Sequence, residues 1–75
     1  MVDIKGNIVQ TGDRVVTFVV EVHGTRLRTG VVVKITPDET KRYDWAEVQI
    51  ATKIGSETFH TYIQRNGASI LKLSE

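Results

Sequence analysis

Two valine-rich runs, residues 14 to 22 and 26 to 35, are separated by little more than His23-Gly24. Val, Thr, Phe and Ile dominate both, a composition that favours pleated strands, and a His-Gly break between two such runs predicts a tight antiparallel hairpin. The phrase Gly12-Asp13-Arg14-Val15-Val16 opens the first run, and Gly30-Val31-Val32-Val33-Lys34-Ile35 closes the second. A chain punctuated in this way is expected to fold as a small twisted β-barrel. With His23 and Gly24 as the loop, the register follows, because directly opposed residues share a face. Val20 then meets Leu27, Phe18 meets Thr29 and Val16 meets Val31, and this continuously apolar face is the predicted core. The reverse face pairs Glu21 with Arg26, Val19 with Arg28, Thr17 with Gly30 and Val15 with Val32, with Lys34 further along.

Residues 45 to 64 repeat the pattern around Gly55-Ser56, a glycine-first turn suited to a hairpin. Thr52 is expected opposite Phe59, Ile50 opposite Thr61 and Val48 opposite Ile63. On the other side Lys53 meets Thr58, Ala51 meets His60, Gln49 meets Tyr62 and Glu47 meets Gln64. Between the hairpins Thr36-Pro37-Asp38-Glu39-Thr40-Lys41-Arg42-Tyr43-Asp44 is polar and aperiodic, hence an exposed loop. Arg65 to Ser69 reads as a turn or a single helical turn, and Ile70-Leu71-Lys72-Leu73 as a short last strand; residues 4 to 9 add a strand or simply lead in. No apolar positions recur at helical spacing over a useful length. The expectation is an all-β domain spanning residues 1 to 75, a five-stranded barrel of two antiparallel hairpins and a short C-terminal strand.

At 75 residues such a domain buries only about 60% of its unfolded surface, so its core is thin. Cysteine is absent, which removes disulfides and thiolate zinc sites from consideration. Ten Lys and Arg against nine Asp and Glu give a formal charge of +1, a balance that does not advertise nucleic-acid binding unless the cations are gathered on one face. The first residues lack an apolar signal core, and the longest apolar runs, Phe18 to Val20 and Val31 to Val33, are too short to span a membrane. A cytoplasmic location, no membrane partner and no cofactor are expected.

The order of these elements resembles an SH3-like barrel, and the segment from Gly12 to Ile35 resembles a KOW-type module, whose pattern of Gly-Asp-x-Val followed by glycine and Val-x-x-Ile is matched by Gly12-Asp13-Arg14-Val15 and Gly30 to Ile35. Between Gly24 and Gly30 the intermediate glycine common in such modules is missing. The resemblance implies a module that works on nucleic acid or on a nucleic-acid-processing machine. In length and style the chain is also similar to small bacteriophage-encoded proteins, which would place it in a host cytoplasm. Plasmid-type dihydrofolate reductases are barrels of similar size with an active Val-Gln-Ile-Tyr segment; here Val48-Gln49-Ile50 is followed by Ala51, one strand too early, so no reductase activity is expected.

No catalytic residue is expected, because a nucleophile needs an adjacent base and an orienting group, and His23 reads as a turn residue that tolerates positive φ. No pattern at metal-ligand spacing occurs. Two interaction readings remain. Arg26, Arg28, Lys34, Lys53, His60, Tyr62 and Arg65 combine cations with rings, the mixture that neutralises phosphate and stacks on bases of DNA or RNA. Alternatively Val15, Val19 and Val32 on the reverse face of the first hairpin, or Tyr43 and Trp45 beside the long loop, form an interface with a host protein or a second copy of the chain. The same valines are core if the N-terminal segment, with Ile4, Ile8 and Val9, lies over them.

Overall fold

The second hairpin has the predicted register at every position. In the computed structural model, which describes residues 1–37 and 44–73, β3 (Trp45–Ile54) and β4 (Glu57–Asn66) pair without interruption from Ile54↔Glu57 to Trp45↔Asn66, through Thr52↔Phe59, Ile50↔Thr61 and Val48↔Ile63. Gly55 turns the chain at φ 63°, a left-handed conformation that glycine adopts at no steric cost. Ala46, Val48 and Ile50 point to one side and are buried. Glu47, Gln49, Ala51 and Lys53 point to the other.

The first hairpin is formed by β1 (Arg14–Glu21) and β2 (Gly24–Thr36). Its loop is Val22-His23 rather than His23-Gly24. Gly24, at φ 118°, already pairs with Glu21, so the register shifts by two residues to Val20↔Thr25, Phe18↔Leu27 and Val16↔Thr29. A shift of two leaves the membership of each face unchanged. What changes is which face is buried: Val15 and Val32 have no exposure and Thr17 has 1%, whereas Phe18, Val20 and Leu27, the expected core, are 58%, 80% and 63% exposed. The physical cause is the close approach of β2 to β3. Gly30 lies on the buried face beside the start of the β2–β3 ladder, where a Cβ would come within 2.5 Å of Val48 Cγ1 and 2.8 Å of the Gln49 carbonyl oxygen. Only a strand without a side chain there approaches so closely, and the strand therefore turns its glycine-bearing face inward.

A β-bulge follows. The β2–β3 ladder runs Val32↔Val48 and then Lys34↔Glu47, leaving Val33 as the extra residue. Val32 and Ile35, three apart, thereby both face the core, and Lys34 is moved to the outer face. After a single 3-10 turn at Gly67–Ser69, β5 (Ile70–Lys72) pairs with β1 through Val15↔Lys72 and Thr17↔Ile70. The sheet order is β4-β3-β2-β1-β5, all antiparallel. The fold class is the one expected: all-β, five strands, two hairpins and a short C-terminal strand. The sheet curls on itself, since Arg65 of the edge strand β4 donates from Nη2 to the Phe18 carbonyl of β1 at 3.0 Å.

Val9, Val15, Val32, Ala46, Val48, Ile50 and Ile70 make the core, with Met1, Val19, Ile35 and Ile63 packed around it. Full burial of one such valine stabilises the fold by roughly 1.5–3 kcal/mol. The N-terminal segment joins the core that holds Val15 and Val32, through Val9 with Met1 packed beside it. Ile4 and Ile8 are each 66% exposed and are not lids. Thr17, polar and buried, donates its hydroxyl to the Ser69 carbonyl at 2.7 Å, so its burial leaves no unpaired group.

Candidate interaction surfaces

The outer face of the first hairpin is the largest departure from what the sequence suggests. Phe18 and Leu27 stand directly opposite each other, flanked by Val20, by half-buried Val16 and by Val31 further down β2, with Val22 almost wholly exposed at the turn. The residues opposite Val16 and Val20 are Thr29 and Thr25, so no charge interrupts the middle of the patch. Scattered surface valines are ordinary, but here large apolar side chains stand adjacent on one sheet face and form a contiguous exposed patch.

The seven residues expected to meet nucleic acid do not form one surface. Arg26 and Arg28 lie on the core-facing side of the first hairpin, where both are held by Glu21: Arg28 Nε is 2.6 Å from Glu21 Oε1, and Arg26 Nε 4.0 Å from Oε2. The hydrogen bond from Arg28, opposed by partial desolvation and aided by the charges of Arg28 and Arg26, holds the Glu21 carboxyl below its ordinary range, and the same bond raises Arg28. Arg65 shares a face with buried Ala46 and donates to the backbone carbonyls of Phe18 and Gln64. Arg28 and Arg65 are structural to that extent, whereas Arg26 stays largely exposed at the outer limit of a contact with Glu21. Lys34, Lys53, His60 and Tyr62 are on the opposite, outer side; all four are exposed, and Tyr62 accepts a hydrogen bond from Gln49 Nε2 at its hydroxyl. The predicted alignment of Lys34 with Arg26 and Arg28 fails because the bulge at Val33 reverses the alternation.

The apolar set offered as an alternative interface is corrected as well. Val15 and Val32 are core residues without exposure, and Val19 packs against the core, so none of them is a free surface. Trp45, the first residue of β3, falls on the outer side with Glu47 and is 41% exposed. Tyr43 lies outside the described residues.

Two features carry no obvious sequence signal. Asp3, 5% exposed, accepts four hydrogen bonds: from the Lys5 and Asn7 amides at 2.9 Å, from Asn7 Nδ2 at 3.1 Å and from the Lys72 amide at 2.7 Å. Burial alone would raise its pKa, yet the four donors outweigh it and hold the carboxyl at about 2. The residue therefore ties the first loop to β5. Only the three-residue spacing to Gly6 and the neighbouring Asn7 hint at a local turn; the bond to Lys72 spans nearly the whole chain. Between the hairpins lies an open cleft of about 370 Å³, walled by Val19, Glu21 and Arg28 on one side and by Ile50, Thr61 and Ile63 on the other. Among the described residues that line it, the charged ones are Glu21 and Arg28, already joined.

Among the described residues no group of three or more His, Cys, Asp and Glu side chains comes together as a metal site, and no helix is long and apolar enough to cross a membrane. His23 sits in the turn of the first hairpin and His60 on β4. In comparison with known proteins, a family described as a domain of unknown function (DUF7205) matches residues 1–72. No curated protein and no solved structure matches the chain.

Proposed function

The chain belongs to the DUF7205 family, and we propose that it is a non-catalytic interaction module that docks on an apolar protein surface through the outer face of its first hairpin. One observation carries this reading: Phe18 and Leu27, opposed on neighbouring strands, are 58% and 63% exposed while smaller residues behind them form the core. Large apolar side chains in such a position gain by losing contact with water, at about 25 cal/mol for each Å² removed. A partner of matching chemistry is an apolar groove or sheet face without charge at its centre. The test places a photo-crosslinking residue at position 27 in cells. A discrete protein adduct that disappears in Phe18→Ser supports the reading; a nuclease-sensitive adduct, or one that persists in Phe18→Ser, overturns it.

A second reading rests on Lys34, Lys53, His60 and Tyr62, which share the outer side of β2, β3 and β4, and on the KOW-type resemblance of Gly12 to Ile35. It expects a single-stranded oligonucleotide to bind at low salt, with affinity falling steeply as salt rises and with a smaller salt slope in Lys53→Gln. Oligonucleotide binding that is absent at low salt ends this reading and leaves the first untouched.

A further inference from the structure

The two edges of the sheet are treated differently. At the β5 edge the N-terminal segment caps the strand: the Ile4 amide donates to the Ile70 carbonyl at 3.1 Å, and the Lys72 amide donates to Asp3 Oδ2. β5 is also only three residues long. The β4 edge is ten residues long, pairs with β3 without a bulge, and is exposed from Glu57 to Tyr62. It contains neither proline nor lysine, the residues with which proteins commonly blunt an open edge. A long, regular and unprotected edge is a template for another strand.

The sequence of that edge is complementary to itself. Two copies of Glu57-Thr58-Phe59-His60-Thr61-Tyr62-Ile63-Gln64-Arg65, run antiparallel about Thr61, place Glu57 opposite Arg65, whose guanidinium also holds the Phe18 and Gln64 carbonyls of its own chain, Thr58 opposite Gln64, Phe59 opposite Ile63, His60 opposite Tyr62 and Thr61 opposite its own copy. Four of the five pairs are of a kind that stabilises sheets, namely opposite charges, an aromatic with a β-branched residue, two rings and two threonines, and the fifth, Thr58 with Gln64, is polar on both sides. Moving the register by one pair in either direction sets Phe59 against Arg65, or Glu57 against Ile63, and loses the charge match. We infer that the partner of this edge is a second copy of the chain, joined through antiparallel β4 strands in a two-fold dimer centred on Thr61, with one continuous sheet of both copies. The outer faces of both first hairpins then lie on one side of that sheet. The dimer stands independently of the docking function proposed above.

The absence of cysteine makes the register directly readable, because only a residue on the two-fold axis faces its own copy. Under mild oxidation Thr61→Cys is expected to form a disulfide-linked dimer in high yield, since opposed residues of neighbouring antiparallel strands have Cα separations of about 4.5–5.5 Å. Tyr62→Cys and Ala51→Cys are expected to stay largely unlinked. Sedimentation of the wild-type chain across a concentration series should show a monomer–dimer equilibrium, and Thr61→Lys, with like charges opposed on the axis, should raise its dissociation constant at least about tenfold while the far-ultraviolet spectrum of the fold is kept. A chain that stays monomeric at every concentration overturns the proposal, as does a disulfide-linked dimer that forms in Tyr62→Cys and not in Thr61→Cys. A dimer that survives Thr61→Lys but is lost in Leu27→Asp overturns it too, because association then runs through the first hairpin.

Discussion

The two hairpins solve the same problem in opposite ways. β3–β4 hides its apolar side, Val48 and Ile50, and shows Gln49, Lys53, His60 and Tyr62. β1–β2 hides the side that carries Thr17, Gly30 and the Glu21–Arg28 pair, and shows Phe18, Val20 and Leu27. The difference teaches that burial in this molecule follows closeness of approach rather than hydrophobic content. Small residues are taken inward where β2 closes on β3, and the greasier surface is left exposed. The second hairpin is thus the wall of the fold, and the first is wall on one side and the proposed docking surface on the other.

The largest effect expected from breaking this contrast comes from Val15→Asp. A charge on the buried side of β1 costs more than about 4 kcal/mol, a large part of the stability of a typical domain, and thermal denaturation should show an unfolded or molten chain at room temperature. Loss of the Asp3 anchor should be smaller. Its folded pKa of about 2 lies below the ordinary 3.8, so its contribution is complete above the ordinary value and is lost as pH falls towards 2. Asp3→Asn is expected to cost about 2 kcal/mol at neutral pH and to flatten the acid limb of the stability curve, as urea denaturation at several pH values would reveal. Arg65→Met removes the bond to Phe18 that links β4 to β1 and should cost about 1 kcal/mol in the same measurement. Smallest of all is Leu27→Asp, expected to change stability by no more than about 0.5 kcal/mol although the residue is large and apolar. A substantial loss of stability in Leu27→Asp would mean that the outer face is core after all, and the contrast between the hairpins would fall.

Much of this fold is legible in the sequence. Gly55-Ser56 sets the β3–β4 register because a left-handed glycine begins the turn, and every pair from Thr52↔Phe59 to Glu47↔Gln64 follows by counting. Counting also sorts the residues of the first hairpin into their two groups. It does not say which group is inside, because Val15, Val19 and Val32 make the reverse face nearly as apolar as Val16, Phe18 and Val20. The decision lies with Gly30 and its distance from Val48, a contact between strands that no local pattern announces. The candidate cations are scattered for a related reason. Strict alternation keeps Lys34 beside Arg26 and Arg28, but the bulge at Val33 inserts one residue and sends it to the other side. Trp45 falls on the outer side because β3 already begins there, which its position beside an aperiodic loop leaves open.

Asp3 and β5 have a consequence for how the chain comes into being. The groups that complete one side of the sheet belong to residues 3 and 72, far apart along the chain. A nascent chain on the ribosome can form both hairpins while the Asp3 carboxylate still lacks its contact with Lys72 and β1 still lacks β5. During that interval Val15 to Thr17 present an unoccupied edge as well as the apolar residues of the outer face. The last of the five strands to be synthesised therefore closes the window in which the young protein is most open to aggregation and to chaperones.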